Sequence, residues 1–178
     1  MAQSATIFKA DIQISDMDRN YYASHNLTIA RHPSETDLRM MLRLLAFTIH
    51  ADEQLQFTKG ISTDDEPDLW NKSLSGEIDL WIDLGTPGEK RIKKACGLSK
   101  KVALYTYDSR SATVWWDKNK NTLQRFNNLA VYFISDECAQ QLTSLAQRKM
   151  QLQVTVQDGD VYFGDASNNI AIERESWN

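Results

Sequence analysis

The chain of 178 residues has no apolar run approaching the roughly 20 residues that a bilayer crossing needs, and its first residues lack the hydrophobic core of a signal peptide. A cytoplasmic protein is expected. Cysteine is scarce: Cys96 and Cys138 fall on expected helices without metal-type spacing, which excludes a disulfide framework and leaves two reduced, buried thiols. Three unclustered histidines exclude a structural zinc centre. His25 and His50 stand beside no nucleophile, and no serine or cysteine triad can be assembled. Positive charge is not in excess either, since 20 Lys and Arg face 24 Asp and Glu for a net charge of -4. Any polyanionic partner must then be met by a local basic patch or through metal ions. Internal repeats, low-complexity tracts and linkers are also missing. What remains is an ordinary globular composition, 42% hydrophobic and 25% charged, over a length that fills one domain spanning 1–178 and not two.

The most pronounced pattern lies between residues 76 and 95. Ile78, Leu80, Ile82 and Leu84 alternate with Glu77, Asp79, Trp81 and Asp83, which predicts a strand with an acidic face. Thr86, Pro87 and Gly88 end it. Glu89 then opens a helix whose first turns carry Lys90, Arg91, Lys93 and Lys94. Strand carboxylates can hold a hard cation such as Mg²⁺, and a neighbouring lysine or arginine can stabilise charge on a phosphoryl oxygen. The same pattern also describes a wet strand face beside a solvated helix. Cations in the first helical turns oppose the helix dipole, however, so they call for a partner, either the strand carboxylates or a bound anion.

The rest of the chain frames that unit. Residues 5–15 and 21–31 alternate as two strands joined by turn residues Asp16 to Asn20. Ser34 is the expected N-cap of a long helix to about Ala51, with Met41, Leu42, Leu45, Ala46 and Ile49 on its apolar face. Arg31, His32, Glu35 and Arg39 crowd its start, as a salt-bridge cluster or as a ligand set in which Glu35 reaches a metal and the arginines grip phosphate. Residues 55–61 predict a short strand, and Asp64, Asp65, Glu66, Pro67 and Asp68 predict the start of a short helix carrying Leu69 and Trp70. A strand at 102–107 completes a strand–helix–strand unit with a parallel pair. A helix from Ser109, a strand at 129–134 and a helix from Asp136 to about Arg148 follow. Trp115 and Trp116 are read as packing residues in preference to a base-stacking platform. The last third predicts an antiparallel meander turning at Asp158-Gly159.

Taken in order, ARHPSET (30–36), RMMLRLLA (39–46), DDEP (64–67), IDLWIDLG (78–85), RIKKA (91–95) and QDG (157–159) resemble the bacterial YaeQ family over essentially the whole chain. That family is similar to the PD-(D/E)XK nucleases, in which a helix with a glutamate precedes strands bearing an aspartate and a (D/E)-x-K motif, then a helix and a strand. The resemblance implies an α+β fold with a mixed, nuclease-like central sheet flanked by helices. A second, antiparallel sheet would come from the N-terminal hairpin and the C-terminal strands.

It further implies metal-dependent phosphodiester hydrolysis on DNA or RNA. Glu35, Asp79 and Asp83 would hold Mg²⁺ or Mn²⁺, Lys94 or Arg91 would stabilise the transition state, and Arg31, Arg39, Arg91 and Lys93 would bind phosphate. The chain departs from the motif at Gly85, where (D/E)-x-K requires lysine, so the lysine would come from the following helix. Asp79 and Asp83 also lie about 13 Å apart along a regular strand, and sharing an ion needs a bend or bulge. The alternative is a nuclease-like module without chemistry that binds a protein or nucleic-acid partner. An anion or nucleotide site at Arg31, His32, Arg91 and Lys94 is a third reading. Convergent carboxylates favour the metal enzyme, and a salt-bridged Glu35 favours binding.

Overall fold

The computed structural model describes residues 4–59 and 65–178. Contacts divide the chain into two compact units, Met1–His50 with Glu137–Glu173, and Ala51–Asp136 with Arg174–Asn178. Each is built around a mixed sheet, and four helices among the described residues complete the α+β architecture. No described helix is long and apolar enough to cross a membrane.

The first unit carries a five-stranded sheet. Strands β1 (Thr6–Asp16) and β2 (Tyr21–Arg31) form a hairpin in continuous register from Thr6↔Arg31 to Asp16↔Tyr21. Their turn ends on Asn20 at φ 56°, the left-handed region that asparagine tolerates. Alternation fixes the faces as expected: Phe8, Ala10, Ile12 and Ile14 are buried, while Ile7, Lys9, Asp11 and Gln13 are exposed. The helix α1 (Asp37–His50) starts three residues later than Ser34, because Thr36 is the residue that caps it, its Oγ1 accepting the Arg39 N–H at 3.1 Å. Ser34 instead bonds the His32 ring at 2.7 Å.

From this unit's second chain segment come β8 (Lys149–Gln157), β9 (Asp160–Gly164) and β10 (Asn169–Ala171). The spatial order is β10-β9-β8-β1-β2. The meander itself is antiparallel, but β1 and β8 run parallel, so this sheet is mixed where an antiparallel one was expected. Asp18 in the first turn accepts the N–H groups of Asp158 and Gly159 at 2.7 and 2.8 Å, which ties the two hairpin tips together.

The second unit carries six strands in the order β11-β7-β6-β5-β4-β3. These are β3 (Leu55–Phe57), β4 (Leu69–Lys72), β5 (Ile78–Leu84), β6 (Ser99–Thr106), β7 (Leu129–Ile134) and β11 (Arg174–Ser176). The pairs β5–β6 and β6–β7 are parallel, as the strand–helix–strand reading requires. Two helices, α2 (Glu89–Leu98) and α3 (Ser109–Leu123), cover one face through a core of Trp81, Ile92, Ala95, Val102, Leu104, Trp115, Leu123 and Val131. A fourth helix, α4 (Asp136–Ser144), leads back to the first unit and stops short of the expected Arg148.

Leu69 and Trp70 lie on a strand, not on a short helix. Their backbones pair with Ile82 and Trp81 of β5, and sheet hydrogen bonds outweigh the local N-terminal signal of Pro67. Asp64, and residues 60 and 61 of the expected strand at 55–61, lie outside the described residues. The strand β11 had no sequence forecast. It pairs with β7 through three residues only, and Trp177 follows it, bonding the Val131 C=O at 2.8 Å and stacking on Phe133 at 4.9 Å.

Phe163 is fully buried in the first unit. Phe163→Ala is expected to lower unfolding free energy by about 3–5 kcal/mol, read as a lower urea midpoint at unchanged slope.

Candidate functional site

The residues singled out by sequence are organised by ion pairs. Glu35 lies in the turn before α1, with its N–H on the His32 C=O at 2.8 Å and only 6% of its surface exposed. Its Oε2 accepts from Arg39 Nη1 at 2.9 Å and its Oε1 from Arg43 Nη2 at 2.5 Å. The same Arg43 nitrogen donates to the Ala30 C=O at 3.1 Å. Both carboxylate oxygens are therefore engaged, and the two guanidiniums fix the end of β2, the turn and α1 to one another. Arg31 pairs with Asp37 and lies over the Phe8 ring at 5.2 Å. Arg31 and Arg39, expected to grip phosphate, are thus committed to carboxylates of their own unit.

A second carboxylate is held the same way. Asp83, 3% exposed, accepts Arg91 Nε at 2.9 Å on Oδ2 and Arg91 Nη2 at 3.1 Å on Oδ1, with the Trp81 indole N–H at 3.0 Å as a third donor. Arg91 also donates to the Glu66 C=O at 2.8 Å. This fork is the partner that the basic start of α2 calls for: the strand carboxylate itself meets it.

Asp79 and Asp83 do not converge. The register between β4 and β5 shifts between Asn71 and Lys72, which oppose Leu80 and Ile78, so Asp79 is the extra residue of a bulge. The bulge sits at Asp79 and leaves Leu80 to Asp83 in regular register. Asp79 pairs with Lys100 of β6 at 2.9 Å, and this hydrogen bond, with a further contribution from Glu77, raises the Lys100 pKa. Lys94 reaches Asp65 at 3.0 Å, with both side chains exposed. Lys93 is exposed and makes no ion pair among the described residues.

Among the described residues, no three His, Cys, Asp or Glu side chains are grouped to hold a metal ion. The carboxylates do not fit one: the oxygens of Glu35 and Asp83 already accept from guanidiniums, and an incoming ion would have to displace them. Thiol chemistry finds no better footing. Burial pushes the Cys96 thiol up to about 11 and raises that of Cys138, so neither supplies a thiolate near neutrality.

Gly85 has its own backbone reason. It adopts φ +93°, where side-chain-bearing residues are strained, and its N–H bonds the Tyr105 C=O at 2.9 Å. The motif position thus needs glycine to end β5, and a lysine there would work against the turn.

Two buried polar residues escaped the sequence reading. Arg43 is 7% exposed, and its signal was a lone arginine inside the apolar run from Met40 to Phe47. Asp68 is 3% exposed and accepts the Leu84 N–H at 3.0 Å. It ended a row of acids and looked like one more of them.

What the sequence left undivided is the distribution of positive charge. Residues 89–125 hold ten of the 20 Lys and Arg against three carboxylates, Glu89, Asp108 and Asp117. Seven of the ten lie on α2 and α3, whose apolar sides share one core; of these Lys90, Lys93, Arg110 and Lys118 are exposed, while Arg91, Lys94 and Lys120 pair with Asp83, Asp65 and Asp117. An open groove of about 730 Å³ lies between the start of α2, at Gly88 and Glu89, and α3, where Arg110, Val114, Trp115 and Lys118 line it. The Trp115 indole N–H donates to the Pro87 C=O at 2.8 Å and sets α3 against the loop that enters α2. Trp115 itself is 9% exposed, and Trp116 packs on Trp177 at 5.6 Å, in line with the packing reading of this pair.

Fold and ion pairs together define an α+β protein with two mixed sheets and four helices among the described residues, in which arginines hold the buried carboxylates Glu35 and Asp83. The chain belongs to the YaeQ family: the family described as "YaeQ protein" matches residues 1–174. It is 49% identical over 177 residues to "Uncharacterized protein YaeQ" of Escherichia coli (strain K12), covering 99% of this chain and 98% of that one. The crystal structure of YaeQ protein from Xanthomonas axonopodis pv. citri superposes with a TM-score of 0.94 at 44% identity, over 98% of this chain and 99% of that one. The YaeQ protein from Pseudomonas syringae gives 0.93 at 31% identity, over 98% and 96%.

Two substitutions test the geometry. Asp83→Ala leaves Arg91 without its carboxylate and is expected to cost about 3–5 kcal/mol, measured by urea unfolding. Gly85→Lys, which restores the motif lysine, is expected to cost about 1–3 kcal/mol in the same measurement and to confer no phosphodiesterase activity with Mn²⁺.

Proposed function

We propose that this chain is a nuclease-like module that binds nucleic acid without cutting it, through the basic outer surface of α2 and α3. The observation that carries the reading is the concentration of ten cationic side chains in residues 89–125 of a chain with net charge -4. Exposed Lys90, Lys93, Arg110 and Lys118 have no ion pair among the described residues, so their charge is available to phosphates. The groove of about 730 Å³ beside Arg110 and Lys118, with Val114 70% exposed at its edge, offers room for a ligand next to these cations.

Kinship with the PD-(D/E)XK superfamily is part of this proposal. The order α1, β3, β4, β5, α2, β6 supports it, following the superfamily's helix, strands, helix and strand. Reading residues 1–178 as one YaeQ-type functional unit is part of the proposal too, supported by the match to relatives from end to end. The pairing of Glu35 and Asp83 with arginine favours binding over metal-dependent hydrolysis with Mg²⁺ or Mn²⁺. Lys94 of that nuclease reading is bound to Asp65.

The test is fluorescence anisotropy of labelled single-stranded DNA and RNA in a metal chelator. Wild type is expected to bind saturably and to weaken with salt. The quadruple variant Lys90→Ala/Lys93→Ala/Arg110→Ala/Lys118→Ala is expected to lose at least about tenfold in affinity and to reduce the log–log salt slope by about 3. Unchanged affinity in that variant overturns the surface. Mn²⁺-dependent hydrolysis abolished by Asp83→Ala overturns the non-catalytic reading.

A further inference from the structure

The two sheets end in four edge strands. Three of them, β3, β10 and β11, are three residues long. The fourth, β2, runs for 11 residues with no register break against β1. Its open backbone groups follow from the neighbouring hydrogen bonds. The Lys9 N–H bonds the Arg148 C=O and the Met17 N–H bonds the Val156 C=O, so odd residues of β1 turn toward β8 and even ones toward β2. Through the register Ala10↔Leu27, Ile12↔His25 and Ile14↔Ala23, odd residues of β2 bond to β1. Tyr22, Ser24, Asn26 and Thr28 therefore turn their N–H and C=O groups to the open edge, and all four are exposed. The bond from Arg43 to the Ala30 C=O lies on this edge and closes its far end.

Proteins blunt long edges with lysine, proline, an inward charge or a bulge, or leave them to pair with another chain. The stretch from Tyr21 to Ala30 has none of these devices. His25 is its one imidazole, hydrogen-bonded to the Tyr21 hydroxyl at 2.7 Å. The sequence is also compatible with itself. In an antiparallel pairing centred on His25, Tyr22 meets Thr28 of the other copy and Ser24 meets Asn26. On the opposite face Ala23 meets Leu27 and Tyr21 meets Ile29. The hydrogen-bonding residues of one edge thus meet those of the other, no charged pair is opposed within Tyr22 to Thr28, and Arg31 falls outside the pairing.

We infer that β2 pairs antiparallel with β2 of a second copy of this chain about a two-fold axis at His25, joining two five-stranded sheets into one continuous sheet. A two-fold pairing closes on itself and uses both edges, so it ends at the dimer and leaves no strand to propagate. The inference is independent of the ion pairs and of the basic surface on α2 and α3.

Sedimentation equilibrium of the full chain over a concentration series tests it, with two variants that fix the register. Ser24→Lys/Asn26→Lys opposes lysine to lysine twice across the axis and is expected to weaken the dimer about tenfold or more. Ser24→Asp/Asn26→Lys opposes aspartate to lysine and is expected to hold the dimer at least as tightly as wild type. In both, the Asn26→Lys substitution sets its new charge opposite Asp11 of β1 within the same copy, so the hairpin is not strained by like charge, and far-UV circular dichroism checks the fold. A wild type that stays monomeric over the series overturns the inference. So does a pair of folded variants with equal dimer dissociation constants.

Discussion

A carboxylate withdrawn from water must be paired, and this constraint organises both units. Four carboxylates are buried among the described residues: Asp16, Glu35, Asp68 and Asp83. Asp16 is held by Arg19, Glu35 by Arg39 and Arg43, and Asp83 by Arg91, while Asp68 accepts a backbone N–H from Leu84. Losing one partner leaves an uncompensated charge in a poor dielectric, which costs far more than the intact pair contributes. The pairs therefore act mainly as locks on geometry. Arg43 joins the turn before α1 to the end of β2, and Arg91 joins β5, α2 and the Glu66 carbonyl.

The same locks decide what the polar residues are free to do. Guanidiniums seated on Glu35 and Asp83 neutralise the groups that metal chemistry would need. The same pairs remove Arg39, Arg43 and Arg91 from the supply of cations open to a ligand, and Asp37 takes up Arg31. Lys90, Lys93, Arg110 and Lys118 stay open on α2 and α3, where one structural core aligns two helices and leaves their basic sides outward. A net-acidic chain can hold such a local excess of cations because all but three of its 24 acids, Glu89, Asp108 and Asp117, lie outside residues 89–125.

Much of the fold was legible because alternation and helical periodicity are local. The first hairpin, the acidic strand, the basic helix and the parallel pair all follow from patterns within about a dozen residues. What was hidden is set by distant pairing. Leu69 and Trp70 became a strand because β5 was there to receive them, β11 is held by β7, and β1 runs parallel to β8 because segments about 140 residues apart meet. At the site, the sequence pointed to Glu35 and Asp83 without showing that arginines hold them. Glu35, Arg39 and Arg43 are spaced four apart, yet the apolar run around Arg43 drew no attention to it, and nothing local distinguishes Asp83 as ligand from Asp83 as ion-pair partner.

Titration of Mn²⁺ into the metal-free protein by calorimetry tests the account at its centre. With Glu35 and Asp83 held by arginine, no saturable heat is predicted at metal concentrations well above cellular levels, and Asp83→Ala gives the same flat trace. Saturable binding in wild type that disappears in Asp83→Ala or Glu35→Ala would contradict it and make those carboxylates metal ligands.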